Sequence, residues 1–239
     1  MILPSPLLRG HLVRRYKRFF ADVTLEDGRE VTAHCPNTGT MHGVAESGSE
    51  VWLSTSNNPK RKLPYTWEIV RADGALVGIN PLNANRIVRT ALDARSIPDL
   101  DQYGTVRSEV RYGNGSRIDF LLTEPELPDC YVEVKNVHLR RTAGLAEFPD
   151  AVTTRGAKHL AELTGEKAKG NRALMLFLVQ REDCARFEVA RDIDPAYDAA
   201  LATALEAGVE VLCLACQVGL TDITIARRLD FGGSRRRVT

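Results

Sequence analysis

The chain has no run of about 18 uninterrupted apolar residues, the length a membrane-crossing helix needs, and its start, MILPSPLLRGHLVRRYKRF, has no secretory cleavage pattern. A cytoplasmic protein with no membrane partner is the expectation. Cysteine is sparse and odd in number: Cys35, Cys130, Cys184, Cys213 and Cys216 follow no regular spacing, which argues against a disulfide framework. Cys213 and Cys216 form a CxxC, but inside the apolar run VEVLCLACQV, where a redox pair would instead open a helix and a zinc site would need a second ligand pair. Buried strand cysteines are expected. Histidine is too scattered for a zinc centre, since no matched ligands follow His34, Cys35 and His42.

A dominant charge is also missing. Against 32 basic residues stand 31 acidic ones, so net charge by itself says little about a polyanionic partner. Its distribution says more: residues 1–90 carry 12 Lys/Arg and 8 Asp/Glu, whereas the rest carries 20 and 23. The N-terminal part is thus the better anion-binding surface. Basic clusters stand out at Arg14, Arg15, Lys17 and Arg18, at Lys60, Arg61 and Lys62, and at Arg235, Arg236 and Arg237, the last read as a solvated tail.

What remains is the composition of a folding globule, with 44% hydrophobic and 26% charged residues over 239 positions, enough for one large or two small domains. Short strands broken by turns fill the first 80 residues: RRYKRFFADVTL, EVTAHC, EVWLSTS, YTWEIVRA and ALVGIN. Five strands at this spacing suggest a small closed barrel of OB type. Beyond Pro81 the pattern changes to a helix over 83–93, a hairpin SEVRYG/SRIDFLLTE, the strand CYVEVKNVHL, and a helix from Pro149 to about 164. There follow RALMLFLVQ, a strand near FEVA, the amphipathic segment PAYDAALATALEAGVE and VEVLCLACQV. An α/β or α+β chain is expected, its barrel over 1–80 joined to a mixed sheet flanked by helices over 81–230, with a basic tail over 231–239.

One constellation can do chemistry. Strand alternation turns Asp119 away from a face shared by Ile118 and Phe120, and puts Glu133 and Lys135 together on one side of YVEVKN. If the two strands are neighbours, two carboxylates offer hard oxygen ligands to Mg²⁺ or Mn²⁺ beside an amine that can orient water or stabilise a phosphate. The competing reading is an ordinary Glu–Lys pair on a solvated strand face. Glu109 is a third candidate metal ligand. Arg155, Lys158 and His159 share the polar side of the 149–164 helix, opposite Val152, Gly156, Leu160 and Leu163, and are placed to grip phosphate oxygens. In the barrel, His34 and the turn Asn37-Thr38-Gly39 form a candidate anion nest. Tyr16, Phe19 and Phe20 interleave with the first basic cluster as stacking platforms on nucleic acid, with Phe19 or Phe20 also expected to fill the barrel.

The stretches RYKRFFADV, HCPNTGTM, STSNNPKRKLPYTWEIV, EVRYGNGSRIDF, YVEVKNVHL, FPDAVTTRGAKHLAEL and LMLFLVQR…IDPAY, in order from about residue 14 to 215, closely resemble the sugar fermentation stimulation protein A family. The resemblance implies an OB-like domain joined to a domain of the PD-(D/E)XK nuclease, or restriction-endonuclease-like, type. It maps that motif onto Asp119, Glu133 and Lys135, with Arg155, Lys158 and His159 on the following helix and Glu109 as a further acidic member. Ile118 stands where the motif's name has proline, and Thr154 where relatives often carry glutamate. Family members are described as non-specific DNA binders tied to sugar, notably maltose, utilisation. Two functions follow: a divalent-metal-dependent nuclease acting on DNA or another nucleic acid, or a DNA-binding regulator that does not cut. A carbohydrate-binding or carbohydrate-processing enzyme is a distant third, because Lys135 and the basic helix suit a phosphate better than a glycosidic bond. Oligomeric state is not encoded in any of these features.

Overall fold

The computed structural model describes residues 1–113 and 115–232. Arg235, Arg236 and Arg237 lie outside the described residues. Six strands open the chain: β1 (Leu8–Tyr16), β2 (Phe20–Leu25), β3 (Glu30–His34), β4 (Glu50–Thr55), β5 (Tyr65–Ala72) and β6 (Ala75–Gly78). They pair in the order β3-β2-β1-β4-β5-β6, and a parallel contact between Ala33–His34 and Tyr65–Thr66 joins β3 to β5. That contact closes five strands into a barrel, so both edges of a curled sheet are satisfied. Leu12, Val23, Leu53, Trp67, Val70 and Val77 fill it.

The sequence suggests one strand through RRYKRFFADVTL, but the structure folds it into the β1–β2 hairpin. Lys17 and Arg18 both take left-handed backbone angles, φ 48° and 63°, without a glycine to signal the turn. Phe19 therefore projects from the turn, 48% exposed, and Phe20 stacks on Tyr16 with ring centroids 5.4 Å apart. Neither ring joins the barrel core, which corrects the expectation that one of them fills it.

The second part contains α1 (Leu82–Asp93), β7 (Thr105–Tyr112), β8 (Ser116–Thr123), β9 (Cys130–Val137), β10 (Leu139–Thr142), β11 (Gly144–Phe148), α2 (Thr154–Ala168), β12 (Arg172–Val179), β13 (Cys184–Val189), α3 (Pro195–Glu206), β14 (Glu210–Val218), β15 (Ile223–Arg228) and β16 (Asp230–Phe231). A six-stranded mixed sheet runs β15-β14-β12-β9-β8-β7, with β9, β12 and β14 parallel. Helix α1 covers one face through Ala84, Ile87, Val88 and Ala91 over Phe120, Val132 and Leu176; α2 and α3 cover the other through Leu160, Leu163, Tyr197 and Leu201 over Met175 and Phe177. All five cysteines are buried and free, as the apolar context of the CxxC requires. Two features refine the expected boundaries. Met1 and Leu3 bond to the far end of the chain, at Ile223 and Thr221, and pack with α1 rather than in the barrel. Phe231, read as tail, pairs with Phe187 in β16.

Helix α2 starts five residues later than Pro149. Thr153 caps it, accepting from the Gly156 N–H at 3.1 Å, while its own N–H donates to Asp194, the residue that caps α3 through Tyr197 N. A Cβ on Gly156 would meet Tyr197 at 2.9 Å, so this glycine admits α3 rather than the sheet. Val152, expected on the buried stripe, lies before the helix and is exposed.

The segment freed by that late start joins the two parts. Asp150 Oδ2 accepts from Met41 N and Thr40 Oγ1, both at 3.3 Å, and the Asp150 carbonyl accepts from Thr40 Oγ1 at 2.8 Å. Beneath it His138 is buried, neither ring nitrogen hydrogen-bonded among the described residues, with Nε2 3.5 Å from Asp150. Burial lowers its proton affinity; Asp150 opposes this, and Arg181 and Arg15 reinforce it. His138 thus stays neutral in the fold but takes up a proton in the unfolded chain near pH 6.5. Its contribution to stability is present above that pH and lost as the pH falls. Urea unfolding between pH 7.5 and 5 should show wild type losing up to about 1.4 kcal/mol per pH unit more than His138→Leu. Parallel profiles would refute a neutral His138.

Candidate functional site

Strands β8 and β9 are antiparallel neighbours, paired at Leu122–Cys130, Leu121–Tyr131 and Phe120–Val132. One residue further, Asp119 would face Glu133, but the ladder stops there. Asp119 Oδ2 instead accepts the Val134 N–H at 2.7 Å, and Oδ1 accepts from Asn85 Nδ2 of α1 at 2.7 Å. The side-chain period slips at the same point. Ile118 packs with the α2 side and Phe120 with the α1 side, so they do not share the face that simple alternation assigns them. Asp119 stands at the split between the strands, bonded between Glu133 and Lys135 rather than turned from them.

On β9 the two-residue period holds. Val132 and Val134 face α1, while Glu133 and Lys135 reach the α2 side. Lys135 Nζ donates to Glu133 Oε1 at 2.6 Å, and His159 Nδ1 also contacts that oxygen. Arg155 Nε donates to His159 Nε2 at 3.2 Å, which places the ring proton on Nδ1 and makes His159 a donor to Glu133. Glu133 is 3% exposed, and its Oε2 has no hydrogen-bond partner among the described residues. Burial pushes its carboxyl upward, but the His159 hydrogen bond and the Lys135 charge outweigh this and hold it below the usual range. Asp119 goes the other way: burial and then the Glu133 charge push it up to about 6. The two acids therefore feel each other, and one carries a bare buried oxygen.

Other expected contacts are placed differently. His159 is 4% exposed and turned onto Glu133, so it supports a carboxylate instead of gripping phosphate from an open helix face. Arg155 and Lys158 remain on the exposed side of α2, the first bonded to His159 and the second 3.7 Å from Glu162. Glu109 lies opposite Asp119 on β7, exposed and in a left-handed conformation, φ 55°. Among the described residues no three acidic, imidazole or thiol groups converge as a ligand cluster, so Glu109 is not gathered to Asp119 and Glu133.

In the barrel the turn after β3 lies against the chain's own Asp150, whose carboxylate is met by Met41 N and Thr40 Oγ1 rather than by the N–H groups of Asn37, Thr38 and Gly39. A Cβ on Gly39 would overlap the Asp150 carboxylate. Asn37 is buried, with Nδ2 donating to Ile79 O at 3.0 Å and Oδ1 accepting from Gly39 N at 2.9 Å, so it is a structural brace and not an external contact. Arg15 donates to the Asn37 and Gly39 carbonyls and Arg14 to Asp22. Lys17, Arg18, Lys60, Arg61 and Lys62 are exposed, Arg61 donating to Thr66 Oγ1. His34 is half-buried on β3 beside Phe20.

Sequence reasoning missed Asn85. Nothing local marks it, since its role comes from α1 crossing the sheet where β8 and β9 part.

The sequence pattern of the SfsA N-terminal OB domain matches residues 13–79, and that of the Sugar fermentation stimulation protein RE domain matches residues 82–222. A sugar fermentation stimulation protein homolog of Rhodospirillum centenum is 58% identical over 229 residues, covering 96% of this chain and 98% of its own. The Brucella ovis homolog is 54% identical over 236 residues, covering 99% of each. The solved structure of Pyrococcus furiosus SfsA in complex with Ca²⁺ superposes with a TM-score of 0.87 at 26% identity, covering 97% of both chains. No described helix is long and apolar enough to cross a membrane. The barrel, the mixed sheet and these matches along nearly the whole length place the chain in the sugar fermentation stimulation protein (SfsA) family.

Proposed function

We propose that this chain is a divalent-metal-dependent nuclease that hydrolyses phosphodiester bonds in DNA, with the barrel holding the strand and Asp119, Glu133 and Lys135 acting at the phosphate. The observation that carries the reading is the unpartnered, buried Oε2 of Glu133 beside Asp119, two acids whose mutual repulsion asks for a cation. The donor set fits Mg²⁺ or Mn²⁺: these ions take hard oxygen ligands, and Mg²⁺ keeps several waters, so two carboxylates suffice. The related Pyrococcus protein in complex with Ca²⁺ supports a site for a hard cation. Such an ion, when bound, supplies a water of lowered pKa and offsets charge gathering on the phosphate.

The chain's own residues do the rest. Asn85 and the Val134 N–H fix both oxygens of Asp119; His159, itself held by Arg155, fixes Glu133. Lys135 is anchored on Glu133 and directs its remaining protons toward water or a phosphate oxygen. The exposed turn Lys17-Arg18-Phe19, the Tyr16–Phe20 stack and the loop with Lys60, Arg61 and Lys62 suit a single strand, combining phosphate neutralisation with stacking.

Titrating Mn²⁺ into wild type and into the double variant Asp119→Asn/Glu133→Gln tests the site calorimetrically, alongside Mn²⁺-dependent cleavage of labelled DNA. Binding and cleavage are expected in wild type and neither in the variant. Equal heats would overturn the metal site, and DNA binding without cleavage in either cation would leave the regulator reading.

A further inference from the structure

A cleft of about 670 Å³ opens between α1 and the β7–β8 hairpin, and Asp119 forms part of its wall. Its exposed apolar side chain is Ile2, backed by the nearly buried Met1 and Phe120; Arg86, Arg89 and Glu109 add charge. Ile2 is 79% exposed, held there because its backbone bridges to Asp222 while its side chain finds no core. The left-handed turn at Glu109 interrupts the pairing opposite Asp119, since Ser108–Phe120 and Val110–Ile118 pair and Glu109–Asp119 does not. That gap leads the cleft directly to the carboxylate proposed to hold the cation. Arg89 is tied to Asp93 and Ser108, whereas Arg86 is exposed, with one long contact of 3.4 Å to Asn83.

Resting on the nuclease reading above, we propose that this cleft takes one unpaired nucleoside adjoining the scissile phosphate, so that the preferred substrate is a strand with an unstacked residue rather than a continuous duplex. Three features select that occupant. The volume lies in the range of small-ligand sites, which suits a nucleoside and excludes a duplex. The exposed Ile2 side chain receives the flat face of a base, which is available only once the base has left its stack. Arg86 and Arg89 complement the flanking phosphate, while Glu109 accepts hydrogen bonds from base amino groups and disfavours a second phosphate inside.

The test measures affinity by fluorescence anisotropy in Ca²⁺ for three labelled DNA probes of one sequence: a single strand, a matched duplex, and a duplex with one bulged nucleotide. The proteins are wild type, Arg86→Ala/Arg89→Ala and Ile2→Glu; all three substituted side chains are partly or largely exposed, and thermal melts verify the folds. Wild type is expected to bind the bulged duplex about tenfold tighter than the matched one, and both variants to lose most of that ratio. Equal affinities in wild type, or an unchanged ratio in both variants, would overturn the proposal. Cleavage with no preference for the bulge removes this inference alone. A preference that persists in a protein unable to cleave supports the cleft and removes the nuclease reading alone.

Discussion

Lys135→Ala is expected to reduce Mn²⁺-dependent DNA cleavage by about 10²–10⁴-fold, the range typical of a positioned proton donor or a preorganised charge at a reacting phosphate. DNA affinity should change little, because in the proposed reading the exposed cations of the barrel, and not this amine, supply the long-range attraction. The amine is 14% exposed and lies 2.6 Å from Glu133 Oε1, so it cannot act as a free surface charge. Its loss also leaves Glu133 with His159 as its one bonded donor among the described residues, which should strengthen cation binding by removing a competing positive charge. Cleavage lost while Mn²⁺ binding persists therefore separates chemistry from attachment. Lys135→Arg sharpens the result: it keeps the charge but spreads it over a planar fork, and should recover only a small part of the rate. Activity in Lys135→Ala equal to wild type would remove the lysine from the mechanism.

How much of this site the sequence carries depends on which interaction fixes each residue. Glu133 and Lys135 fall on one side of β9 because a single strand sets the period, and Val132 and Val134 confirm the opposite face. Asp119 breaks its own strand's period, and no local pattern records that, because the cause lies across the sheet: its carboxylate takes the Val134 N–H that the ladder would have used. Barrel closure was legible from strand number and turn spacing, which demand that edges be covered. The hairpin at Lys17 and Arg18 was not, since both left-handed positions carry residues that normally avoid them. Pro149 and Asp150 look like the first turn of a helix. They are drawn away because Asp150 answers the unfilled N–H of Met41 and the hydroxyl of Thr40, more than 100 positions earlier in the chain. His159 shows the same limit. Three polar residues, Arg155, Lys158 and His159, share one helix face in sequence, yet the imidazole is swallowed by the gap above Glu133 and becomes its support.

Arg181→Met should be the most damaging substitution at the junction of barrel and sheet. The guanidinium is 1% exposed and makes four hydrogen bonds: it donates twice to Asp183, at 2.6 and 2.7 Å, to the His138 carbonyl at 2.9 Å and to Asp73 at 3.1 Å. Asp73 sits in the β5–β6 turn, and the neighbouring Gln180 carbonyl accepts from Gly78 N at 2.9 Å, so these contacts fasten the barrel's last hairpin. Methionine fills similar space but leaves the half-buried Asp183 with Arg140 at 3.3 Å, a cation it shares with Asp73 at 2.8 Å. Removing one member of a buried ion pair typically costs about 3–5 kcal/mol; Asp73 is nearly half exposed and recovers water, so the lower end, about 3 kcal/mol, is expected. Urea unfolding measures it, and hydrogen exchange should report the earliest loss of protection in β6, the strand that leans on Gln180. Arg181→Lys cannot hold Asp183 through two parallel bonds and should recover less than half of the loss. A destabilisation below about 1 kcal/mol would show that the pair's desolvation already cancels its attraction in the native fold, and that apolar packing holds the two parts together.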